Sequence, residues 1–69
     1  MWVICNNRIG ILTKLDSLCE VHLTDSITGE NVAVETVPLT SLRQARWLEI
    51  PEKRRMISAE KALELGYGA

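Results

Sequence analysis

Cys19-Glu20-Val21-His22-Leu23-Thr24 is the stretch that decides the fold. In an extended chain Cys19, Val21 and Leu23 fall on one side and Glu20, His22 and Thr24 on the other. A period of two predicts a strand with one face on a core and one in water. Upstream, Ile9, Ile11, Thr13 and Leu15 alternate with Gly10, Leu12 and Lys14, which predicts a second strand over Arg8–Leu15. Gly10 inside that strand marks an expected bend or bulge. Before it, Trp2–Cys5 reads as a short first strand, and Asn6-Asn7 as a tight turn, because asparagine tolerates the left-handed backbone that hairpin turns require.

Downstream, Ser26 to Asn31 centres on Thr28-Gly29-Glu30 and reads as a hairpin loop. The returning strand runs from Asn31 to Val37 with Val32 and Val34 expected inward, and Pro38 ends it for want of a backbone donor. Thr40 to Ala45 predicts one or two helical turns capped by hydroxyls. Arg46 to Ile50 then resumes alternation and is expected to form the fifth strand, stopped by Pro51. From Ser58 the pattern turns helical: Ser58 as N-cap, Glu60 in the first turn, Ala59, Ala62, Leu63 and Leu65 as apolar content, Gly66 beyond the end. The fold class is therefore mainly β, five strands with a short C-terminal helix.

The chain has 69 residues, 46% of them hydrophobic and 25% charged, with a net charge of −1. That apolar share is too high, and the charge too low, for a disordered chain. One small domain fits, without room for a large enzyme cleft. The apolar start, Met1 to Cys5, is broken at once by Asn6-Asn7-Arg8, so neither a secretory segment nor a membrane span is expected, and the expected location is the cytoplasm. Two cysteines are fewer than a disulfide-stapled miniature domain carries. Cys5 and Cys19 read as reduced core thiols, with a cross-strand bridge as the alternative in an oxidising compartment.

Arg8-Ile9-Gly10-Ile11-Leu12-Thr13-Lys14-Leu15 followed by Cys19-Glu20-Val21-His22-Leu23 resembles the glycine-centred strand pair of KOW-type barrels, within the wider SH3-like class. The resemblance spans residues 1–51 and implies a five-stranded SH3-like barrel, leaving 52–69 as a basic linker and short helix of the same domain. It also implies RNA or protein partners. Val37–Ala45, Glu49–Arg55 and Leu65-Gly66-Tyr67 are similar to short proteins of tailed phages and prophages. That second likeness implies a phage setting, hence the host cytoplasm, and transfers no functional residue.

Charge is segregated along the chain. Residues 1–14 carry a net +2, 15–40 a net −5, 41–55 a net +3 and the remainder −1. The acidic and basic faces either lie side by side and are merely solvated, or Arg43, Arg46, Lys53, Arg54 and Arg55, joined by Trp47 as a surface anchor, form the candidate contact surface for a protein partner, for a second copy, or for phosphates of a nucleic acid. Trp47 alternatively covers the barrel end or packs under the C-terminal helix. Three aromatic residues are few for base stacking, which places protein contact first and nucleic acid second.

Catalysis, metals and cofactors are not expected. Cys19 and His22 differ by an odd number, so a regular strand sends them to opposite faces and separates any zinc ligand set with Cys5 and Glu20. His22, the sole histidine, has no oriented nucleophile in the pattern. The four glycines are too scattered to cradle a phosphate, and no small-molecule substrate is expected. The expectation is a non-enzymatic binding or assembly module.

Overall fold

The computed structural model describes residues 1–68. Five strands, β1 (Trp2–Cys5), β2 (Arg8–Lys14), β3 (Leu18–Thr24), β4 (Asn31–Pro38) and β5 (Leu42–Gln44), form one antiparallel sheet in the order β4-β3-β2-β1-β5. Single turns of 3-10 helix follow at Leu39–Ser41, Trp47–Glu49 and Glu52–Arg54, and one helix, α1, at Ala59–Glu64. The class is mainly β with one short helix, as the alternation predicts. The sheet is not closed: β4 and β5 each pair with one neighbour only.

The β1–β2 turn is the two-residue one expected. Asn6 and Asn7 both adopt positive φ, 49° and 63°, while Cys5 pairs with Arg8 across the hairpin. Two successive left-handed residues twist the backbone in the sense of the flanking strands. Asp25 builds the β3–β4 loop: its carboxylate accepts from the N–H groups of Ile27 and Thr28 at 2.8 Å each, and Gly29 closes the turn at φ 76°. Those two backbone donors hold the Asp25 carboxyl below its ordinary pKa.

One sheet face carries Val3, Val21 and Leu23 at 3%, 0% and 1% exposure, with Leu12, Val37 and Leu42 packed against them. Each such side chain removed from water contributes about 1.5–3 kcal/mol. Val37 of β4 and Leu42 of β5, from the two ends of the sheet, both pack on this cluster. The buried Cys5 thiol of β1 is pushed up first by desolvation and next by the Glu35 carboxylate of β4, with Arg8 acting in the opposite direction. Cys5 and Cys19 are both buried free thiols, the reduced alternative of the two.

The other face holds Ile4, Ile9 and Ala45, with Trp2 beside them, and the chain after Ala45 folds back over Trp2. Tyr67 accepts the Trp2 N–H at 3.2 Å, and the Trp47 backbone N–H donates to the Gly68 carbonyl at 2.7 Å. Helix α1 starts as expected, with the Ser58 hydroxyl accepting from the Lys61 N–H, and Ala62 is its buried residue.

Four expectations are corrected. The fifth strand is Leu42–Gln44, inside the segment read as helical, and Arg46–Ile50 holds a 3-10 turn at Trp47–Glu49. The Glu49 carboxylate accepts the Arg46 N–H at 2.8 Å, which pulls this segment out of extended geometry. The helical turn does precede the last strand, but at Leu39–Ser41. Gly10 carries no bulge; the register slips between Leu12 and Lys14 instead. Gly10 is needed for close approach, since a Cβ there would lie 2.6 Å from Val21 Cγ1 and 2.9 Å from the His22 carbonyl oxygen. Val32 and Val34 point outward, at 55% and 57% exposure. Their register neighbours explain it: Val34 lies opposite His22, whereas Ala33, Glu35 and Val37 lie opposite Leu23, Val21 and Cys19.

Candidate functional site

The basic residues occupy a continuous stretch, but most of their side chains are bound within the molecule. Arg43, on β5, makes a two-point ion pair with Glu49, Nη1 to Oε1 and Nη2 to Oε2, both at 2.8 Å. Arg43 and the Arg46 N–H together hold the Glu49 carboxyl down at about 2, the Arg43 hydrogen bonds being the largest cause. Arg55 lies 4.5 Å from the centroid of the Trp47 ring and donates through Nη2 to the carbonyls of Ile50 at 2.9 Å and Leu48 at 3.2 Å. Arg54 lies 5.3 Å from the Trp2 ring and donates to the Gly29 carbonyl at 2.6 Å, which ties the C-terminal segment to the tip of the β3–β4 loop.

Trp47 is a structural staple. Its ring N–H donates to the Ile57 carbonyl at 2.9 Å under the stacked guanidinium of Arg55. Of the six residues the sequence singles out, Arg46 and Lys53 present exposed side chains with neither an ion pair nor a side-chain hydrogen bond among the described residues. Two free cations make a weak phosphate footprint.

The structure also assembles a constellation that sequence spacing does not reveal. The Thr13 hydroxyl donates to Glu20 Oε1 at 3.2 Å, and the same oxygen lies 3.1 Å from His22 Nε2. The slip between Leu12 and Lys14 is what carries Thr13 towards Glu20. Because the carboxylate sits between hydroxyl and imidazole, the only base the hydroxyl meets is a weak carboxylate rather than the imidazole, which does not make an activated nucleophile. His22, then Thr13, hold the Glu20 carboxyl low, so it stays an ionised acceptor. Among the described residues there is no group of three or more metal-ligating side chains.

An open groove of about 280 Å³ runs beside Trp2, Ile50, Met56, Ile57, Leu65 and Tyr67. Its polar groups are partly engaged within the chain, the Trp2 backbone N–H by Tyr67 and Arg54 Nη1 by Gly29, so it offers mainly apolar wall and few of the converging donors that orient a small ligand. Comparison with known protein families, curated proteins and solved structures gives no match for this chain.

The surface that stands out is one the charge pattern misses. β4 is eight residues long, lies at the end of the sheet, and has its outer row of backbone N–H and C=O groups unpaired among the described residues. Natural edges are blunted by lysines, prolines, bulges or cover. β4 has a bulge at its start, between Thr24 and Leu23 of its partner, and Pro38 at its end. Between them it has no lysine or arginine. Its one charge, Glu35, lies 3.6 Å from Arg8 of the same chain, while Val32 and Val34 stand open. Among the described residues no helix is long and apolar enough to cross a membrane.

Proposed function

We propose that this protein is a small, non-enzymatic binding or assembly module that makes protein–protein contacts by adding a strand to the open edge of β4. The observation that carries the reading is the combination of that unpaired edge with two exposed valines. An incoming extended segment gains main-chain hydrogen bonds along β4 and side-chain contact with Val32 and Val34. The strand order and the 3-10 turn directly before the last strand support an SH3-like barrel as the scaffold. Assembly by such a module fits the phage or prophage setting that the sequence resemblance implies.

Amide-resolved titration tests the reading against its nucleic-acid alternative, with two probes: a soluble peptide of alternating valine and threonine, and mixed oligonucleotides at low salt. The expected result is peptide-induced shifts along β4 and β3. Shifts confined to Arg43, Arg46 and Lys53 to Arg55, produced by oligonucleotide and fading with salt, overturn it.

A further inference from the structure

Resting on that edge reading, we infer that the occupant of the β4 edge is a second copy of this chain, paired antiparallel about a two-fold axis through Val34 to make one continuous ten-stranded sheet. Two centres, Val34 and Glu35, pair the most of β4 with its copy, and charge selects the first. A pairing centred on Glu35 sets two carboxylates directly opposite each other, which is destabilising. Centred on Val34, the pairing sets Glu35 opposite Ala33 and Val32 opposite Thr36 of the second copy, and the two Val34 side chains meet at the axis on the open face.

Glu35 is on the other face, turned to Arg8 of its own chain. The net charge of −1 puts little general repulsion between two copies. A two-fold contact uses one patch twice and closes on itself, so the second copy covers both open β4 edges at once and leaves the three-residue β5 at the outer ends. The contact is small beside a standard interface, so the expected dissociation constant is of the order of micromolar.

Sedimentation of the full chain from about 1 µM to about 1 mM spans that constant. The expected result is a monomer-to-dimer shift, weakened at least about tenfold by Val34→Lys, which sets like charges opposite at the axis. Leu63→Lys, at a residue 62% exposed on α1, is expected to dimerise like the parent. As a second measurement, Val34→Cys is expected to yield a disulfide-linked dimer under mild oxidation, and Met56→Cys, at 85% exposure, is not.

A monomer at every concentration, growth beyond the dimer, or a dimer indifferent to Val34→Lys overturns the inference. A monomer whose β4 amides still shift with the alternating peptide overturns the second copy but leaves the edge reading standing. A monomer that ignores the peptide removes both.

Discussion

The two ends of the sheet are treated differently. β5 is three residues long, and two of its side chains are tied to the chain that follows it: Arg43 is pinned by Glu49, and the Gln44 side-chain amide reaches the Leu65 carbonyl at 3.5 Å. β4 is more than twice that length and has no such cover. The difference teaches that the basic segment of this protein is used mainly to fasten the chain after β5 to itself and to the β3–β4 loop, through guanidinium groups aimed at a carboxylate, carbonyls and indole rings. The edge left open, rather than the charge, is where a partner fits.

Breaking the Trp47 staple should have the largest effect on stability. Trp47→Ala removes the ring that anchors Ile57 and supports Arg55, and is expected to destabilise by about 3 kcal/mol in urea unfolding. Arg55→Met keeps the stem on Trp47 but loses the bonds to Leu48 and Ile50, for an expected loss of about 1.5 kcal/mol. It also removes Arg55 Nε, which is buried without a partner, and so offsets part of that loss.

The Glu49 pair sharpens the comparison through pH. Its folded pKa, about 2, lies below the ordinary 4.5, so the stabilisation is fully present above about pH 4.5 and is lost as pH falls towards 2. Solvent screening at the surface leaves about 1 kcal/mol. Glu49→Gln is expected to remove that amount at pH 7 and to flatten the dependence of unfolding free energy on pH between 4.5 and 2. Val34→Lys on the open edge is expected to change monomer stability least, by under about 0.5 kcal/mol.

Much of the sheet is legible in the sequence. Asn6-Asn7 announces the first turn by backbone chemistry, Cys19 to Leu23 the central strand by alternation, and Ser58 the helix start by its cap. The fifth strand is not legible, because three residues are too few to show a period of two, and Arg46–Ile50 alternates better while being held in a turn by Glu49. The facing of β4 is ambiguous for a different reason: Ala33 and Val37 on one side are about as apolar as Val32 and Val34 on the other. Only the register against β3 decides between them. The site is the least legible part, since clustered arginines look alike whether they face solvent or their own carbonyls.

Amide hydrogen exchange, read residue by residue at low and at high protein concentration, tests the contrast between the two edges most directly. The account predicts that the outward amides between Asn31 and Val37 exchange freely in dilute solution and become protected on concentration, while β5 stays the same at both. β4 amides protected even when dilute, or unprotected at both concentrations, would contradict it.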